Sequence, residues 1–208
     1  MSTTQAEFYR GLERASAALQ RHNDSSPNAR AAAVHRAVQP LLEATELAPQ
    51  LACRLGCSHC CYYPVGITYP EAMRLADAVQ SLPDVIARVV AANTDLREQT
   101  WEQLVGKPCP LLVDDACTVH DARPMPCRAL GSLDAEACAD ALHTDRAPPR
   151  DEEAWWRGLG AAHALADGAH RGSRELRSAL SSIMAADPEA DPNTTVAAFL
   201  AARAAPGS

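Results

Sequence analysis

Four cysteines fall within nine residues, Cys53-Arg54-Leu55-Gly56-Cys57-Ser58-His59-Cys60-Cys61, and four more, Cys109, Cys117, Cys127 and Cys138, follow in a second group. Three residues separate Cys53 from Cys57 and two separate Cys57 from Cys60. Gaps this short let a tight loop turn its thiolates inward to one ion or cluster, and Gly56 removes side-chain bulk where such a loop must turn. Cys60 and Cys61 are adjacent, and neighbouring side chains in an extended backbone diverge. Either one is a spectator or the pair reaches two sites. The second group is spaced too widely for one knuckle, but prolines on either side stiffen it and hold Cys127 at a fixed loop position. Eight thiolates could make two four-cysteine zinc sites, one site plus structural cysteines, or one or two iron–sulfur clusters.

The chemistry of the compartment bears on these thiols. The N-terminus lacks the apolar run of a signal peptide, and no stretch of about 20 residues is apolar enough to span a bilayer. A reducing cytoplasm is therefore the expected location, with thiols free for metal rather than paired as disulfides. The net charge of −7 and pI near 5.5 argue against a nucleic-acid partner, which requires a clustered basic surface. A metal ion is the expected partner, with no membrane, and any protein partner is unknown.

Other side chains around the cysteines carry weaker signals. His59 and His120 could each donate a nitrogen to zinc, although neither is needed if all eight sulfurs bind. Arg123 and Arg128 bracket Cys127 and could offset thiolate charge. Tyr62, Tyr63 and Tyr69 could shield a cluster from water or simply fill core space. Asp114 and Asp115 suit a solvated turn. His163 and His170 share a helix face without cysteine or carboxylate neighbours. No phosphate-binding glycine loop, nucleophile elbow or metalloprotease helix is present, so no catalytic residue is assigned.

The order of these residues resembles the YkgJ-type cysteine cluster family, a zinc- or iron-chelating domain of the CxxCxxCC type. Cys53, Cys57, Cys60 and Cys61 match its first motif, Cys109-Pro110 its second, Cys117 to Arg128 its third, and Cys138 its late cysteine. His120 departs from the tyrosine common in the family. The resemblance covers about residues 50 to 142 and implies chelation of zinc or iron, possible as an iron–sulfur cluster, by all eight cysteines. It brings no settled reaction, but a link of related proteins to protein-lysine methylation keeps an iron–sulfur redox protein or enzyme as the alternative. The Cys53-to-Cys60 spacing also occurs in radical-SAM enzymes, whose partial barrel of alternating strands and helices this chain does not offer. Thiol–disulfide chemistry is a third reading, which needs a cysteine of depressed pKa.

The elements that must hold the site read as helices. Alanine is abundant and aromatics are scarce, which favours a mainly α fold whose helices pack around a central irregular cysteine-rich core. One domain over 1–208 is expected: N-terminal helices in 1–50, the cysteine core in 51–142 and C-terminal helices in 143–208. Apolar spacing predicts helices over 5–20 and 27–47, with Ser26 as cap and Pro40 as a kink or break. Thr68 caps a helix from Pro70, and Ser81 opens a longer one towards Leu104. Residues 107–131 hold too many prolines for regular helix. Ser132 caps a short helix carrying Cys138, and Trp155, Leu159, Ala162 and Ala166 form the next apolar stripe. Leu176, Leu180, Ile183 and Met184 form another, and a last helix starts at Asp191-Pro192.

Overall fold

A computed structural model of the chain describes residues 2–54, 56–144, 146–166, 172–186 and 192–206. Within them the fold is mainly helical, as composition implies. His170 and Asp191 lie outside the described residues.

Helix α1 (Thr3–Arg21) is capped by Ser2, and α2 (Pro27–Glu43) by Ser26, whose side chain accepts from the Ala29 amide. Helix α2 runs through Pro40 and stops at Glu43, short of the expected 47. Pro40 has no amide hydrogen to donate to the Arg36 carbonyl, so one bond of the ladder is missing and the helix ends within a turn of it. Helix α7 (Glu152–Leu165) is capped by Asp151 and packs on α1 and α2. Ala15, Ala18, Val34, Val38, Leu42 and Ala161 form the shared core.

Small residues set the geometry of α7. A Cβ on Gly160 would lie 2.0 Å from the Phe8 carbonyl oxygen, and one on Gly11 would lie 1.9 Å from that of Arg157. The two backbones are in contact, which only glycine allows. Gly158 serves the opposite side, where its Cβ would meet that of Ala129 at 2.2 Å. The buried positions are Ala154, Arg157, Gly158, Gly160, Ala161, Ala164 and Leu165, and of the predicted stripe Trp155 and Ala162 pack half-buried against the same core. Large side chains drew the expectation towards Trp155 and Leu159, while the close crossing selects small ones. A buried ion pair completes the seam: Arg157 bridges Glu7 of α1 and Glu153, and donates to the Leu41 carbonyl of α2 at 2.9 Å.

A second group comprises α3 (Tyr69–Val79), α4 (Pro83–Leu96), α8 (Leu176–Ala185) and α9 (Pro192–Ala201). It buries Ile67, Leu75, Val79, Val85, Val89, Leu180 and Phe199. Helix α4 begins without a side-chain cap, so Ser81 does not open it, and it ends at Leu96 rather than near Leu104. Strand β1 (Gly66–Ile67) pairs antiparallel with β4 (Arg174–Glu175), tying the start of α3 to the start of α8.

Helix α2 packs against α3 and joins the two groups. Between them runs the cysteine-rich chain: the hairpin of β2 (Leu112–Val113) and β3 (Ala116–Cys117), α5 (Met125–Ala129) and α6 (Ala135–Asp140). Helix α5 forms despite its prolines because Pro124 precedes it and Pro126 stands in its first turn, where no intrahelical N–H is required. Helix α6 is capped by Asp134, while Ser132 takes the supporting role of accepting from the Asp134 amide at 3.1 Å. No helix among the described residues is long and apolar enough to cross a membrane.

Because the α1–α7 crossing has no room for a methyl group, Gly160→Ala should destabilise the protein by about 3 kcal/mol in urea unfolding. An unchanged midpoint would mean that the helices can separate without cost.

Candidate metal centre

The first cysteine group lies on a loop that turns at Gly56, whose φ of 86° is in the left-handed region. The Cys57 amide closes the turn on the Arg54 carbonyl at 3.0 Å. Residues His59–Tyr62 then form a single 3₁₀ turn containing Cys60 and Cys61. This turn brings the two side chains side by side rather than apart, and the Cys61 thiol is the largest influence on Cys60.

Backbone hydrogen bonds strap the second group onto the first. The Cys109 amide donates to the Cys61 carbonyl and the Gly106 amide to that of Tyr62, each at 2.8 Å. Asp114 and Asp115, both at positive φ, make the two-residue turn of the β2–β3 hairpin. They are exposed as predicted, and Asp115 also accepts from the Ser58 hydroxyl at 2.7 Å, pinning the hairpin to the first loop. The Cys53 sulfur accepts from the Ser132 amide at 3.3 Å, and α6 packs on the turn of Cys60.

The thiols influence one another in two sets, or neighbourhoods, that share Cys60. Burial pushes the Cys127 thiol well above its ordinary pKa, and the charges of Cys109, Cys60 and Cys117 push it further. Cys117 is likewise raised by burial and by Cys60, and Cys109 is raised by burial to about 11. Cys138 is raised by burial, then by Cys53, Cys57 and Cys60, which defines the second neighbourhood. Mutual repulsion of this kind is what a bound cation relieves, so the donor set suits a metal. Among the described residues, no three histidine, cysteine, aspartate or glutamate side chains come together as a ready-made metal-binding group.

Arg123 supplies the compensating charge that its position suggested, holding down Cys60, Cys117 and Cys127 against the other influences. Arg128 faces elsewhere, donating to the Arg123 carbonyl at 2.7 Å and to Gln39 at 3.1 Å. Tyr63 is raised by burial and by Cys138, which places it at the second neighbourhood. Tyr69 instead packs edge-on against Phe199 in the helical core. His120 is exposed beside Cys117, His59 is half-buried in the Cys60 turn, and His163 packs on Phe8, away from the cysteines.

Two supporting residues escaped the cysteine-centred reading. Glu71 is fully buried and accepts from the Thr68 amide at 2.9 Å, the Thr68 hydroxyl at 2.8 Å and the Met125 amide at 2.6 Å. The Nε2 of His35, in α2, lies 3.4 Å from the same carboxylate. Thr68-Tyr69-Pro70-Glu71 is a capping box, a signal legible in sequence, but only the fold shows that its carboxylate also holds the first residue of α5, two before Cys127. Arg177 is the second. It pairs with Glu175 at 2.8 Å and donates to the Lys107 and Pro108 carbonyls at 2.8 and 3.1 Å, fixing the approach to Cys109, whose thiol its charge holds down.

Burial raises the Glu71 carboxyl, but His35 and the Met125 and Thr68 amides outweigh it and hold it below the ordinary value. Burial likewise holds His35 below its ordinary 6.5, so the pair is a carboxylate facing a neutral imidazole. Both groups take up protons more readily when unfolded, so both stabilise the fold at neutral pH and lose that contribution in acid. Stability should therefore fall from pH 6.5, the ordinary histidine value, towards about pH 5, and His35→Gln should flatten that part of the profile. Glu71→Gln should cost about 3 kcal/mol in unfolding free energy, since one acceptor among the four donors becomes an N–H. A flat wild-type profile over this range would contradict the assignment.

Residues 52–144 match the model of the CxxCxxCC family, described as "Putative zinc- or iron-chelating domain". The matched segment is just under half of the 208 residues and contains all eight cysteines. No curated protein and no solved structure matches the chain. The segment that holds all eight cysteines is therefore similar to the CxxCxxCC domain, and that similarity supports metal binding in general.

Proposed function

We propose that the protein chelates zinc or iron through the thiolates of its eight cysteines. The ligand sets of this reading are Cys60, Cys61, Cys109, Cys117 and Cys127 for one centre, and Cys53, Cys57 and Cys138 with Cys60 for a second. The observation that carries this reading is the set of hydrogen bonds that strap separate cysteine-bearing stretches together: the Cys109 amide on the Cys61 carbonyl at 2.8 Å, the Ser58 hydroxyl on Asp115 of the hairpin at 2.7 Å, and the Ser132 amide on the Cys53 sulfur at 3.3 Å. Cysteines used only as apolar filler have no reason to gather.

The group itself would supply Lewis acidity if it is zinc, or electron transfer if it is an iron–sulfur cluster. The chain supplies thiolate donors, the Arg123 guanidinium beside them, and two rigid supports in Glu71 and Arg177. The thiol–disulfide alternative needs a cysteine held below its ordinary pKa. Cys60, Cys109, Cys117, Cys127 and Cys138 are all held above it.

Elemental analysis with an absorption spectrum, on protein prepared anaerobically with both metals available, tests the proposal. Stoichiometric zinc in a colourless protein, or iron with a sulfide-to-iron band bleached by dithionite, would support it and separate its two forms. Neither metal above trace would end it. Cys127→Ser should weaken metal retention by more than the ~10–100-fold that loss of an outer partner costs, measured by competition with a chromophoric chelator. Cys138→Ser should affect only the metal of the second centre.

A further inference from the structure

Glu71 divides its two carboxylate oxygens between near and distant chain. Oε2 accepts from the amide and the hydroxyl of Thr68, at 2.9 and 2.8 Å, and closes the capping box of α3. Oε1 accepts from the Met125 amide at 2.6 Å and lies 3.4 Å from Nε2 of His35. Helix α5 has no capping side chain of its own, because Pro124 stands at its N-cap position and has no acceptor to offer. Oε1 therefore caps α5 from another helix, and one carboxylate starts two helices. Cys127 stands in the turn that this oxygen holds.

His35 fixes the same oxygen from α2. The residue is 2 % exposed, and its Nδ1 is buried with no hydrogen-bond partner among the described residues. A hydrogen on Nδ1 would be stranded there, so the ring carries its proton on Nε2 and donates it to the carboxylate. The path thus runs from α2, which precedes the matched segment 52–144, through Oε1 to the Met125 amide and the first turn of α5. The other end of α5 meets α7, where Ala129 packs against Gly158.

We propose that Glu71 is a positioning residue for Cys127, with His35 acting through it, so that ion retention by the thiol set of Cys127 depends on a helix outside the cysteine segment. The part that concerns the ion rests on the chelation reading above. The part that concerns the thiol does not.

Alkylation of the full-length protein by N-ethylmaleimide, resolved by residue in peptide mass spectrometry with and without added zinc, tests the proposal. Glu71→Gln keeps an oxygen for the Thr68 cap but turns an amide nitrogen to Met125, which cannot accept. Without zinc it should speed labelling of Cys127 about tenfold and leave that of Cys138, on α6, unchanged. The zinc concentration that protects Cys127 should rise about tenfold or more, while that for Cys138 stays as in the parent. His35→Leu removes the donor without touching the carboxylate and should show the same selectivity more weakly. His35→Gln keeps an N–H and should fall nearer the parent. Gly160→Ala, remote at the α1–α7 crossing and of comparable expected instability, should speed labelling of all eight cysteines alike. Labelling of Cys127 at the parent's rate in Glu71→Gln and His35→Leu, or a rise spread evenly over the cysteines, would overturn the proposal. Protection of Cys127 at the parent's zinc concentration in Glu71→Gln would overturn its part on the ion. Zinc that protects no cysteine of the parent would instead count against zinc chelation, and the zinc-free rates would still decide the role of Glu71.

Discussion

A single carboxylate connects the parts of this structure that must agree if the cysteines are to meet. Glu71 caps its own helix through Thr68, accepts from Met125 at the start of α5, and faces His35 of α2. Three segments distant in sequence are referred to one buried charge. A buried carboxylate is costly unless its lone pairs are filled, so the geometry that satisfies Glu71 is strongly preferred over one that shifts α5 by even a small amount. That preference sets where Cys127 stands. The close approach of Gly158 to Ala129 fixes the other side of the same short helix.

The thiols occupy the space these supports define, and their electrostatics follow from it. Burial and mutual repulsion raise the pKa values of Cys109, Cys117 and Cys127, while Arg123 at Cys117 and Cys127, and Arg177 at Cys109, work in the opposite sense. Such an environment keeps isolated thiols protonated and unreactive but stabilises thiolates once a cation is shared among them. Arg177 comes from outside the matched segment 52–144. The C-terminal helices therefore contribute to the cysteine region directly, by gripping the Lys107 and Pro108 carbonyls, and not only by covering it.

Much of this was readable in the sequence where one physical rule dominates. Ser26-Pro27 and Thr68 cap helices as their chemistry requires, and Gly56 turns the first cysteine loop through a positive φ. The order of the eight cysteines was enough to point to the CxxCxxCC domain. The misses share a cause, since each depended on a partner that sequence cannot reveal. The fully buried face of α7 lies beside the predicted stripe because backbone contact with α1 selects glycine there, while Trp155 and Ala162 pack half-buried at its edge. Ser81 and Ser132 looked like caps by type, but Asp134 took the second role and no side chain took the first. Glu71 and Arg177 carry no signal of their own role in sequence, because only the fold places backbone groups from Met125 and from residues 107–108 against them.

X-ray absorption at the zinc and iron edges, on the full-length protein as purified, tests the central claim most directly because it counts the atoms bound to the metal. Sulfur at about 2.3 Å as the dominant ligand, with roughly four sulfurs per zinc or cluster iron, is the predicted result. A coordination shell of nitrogen and oxygen alone would contradict the account, since the clustered cysteines would then have gathered for some other reason.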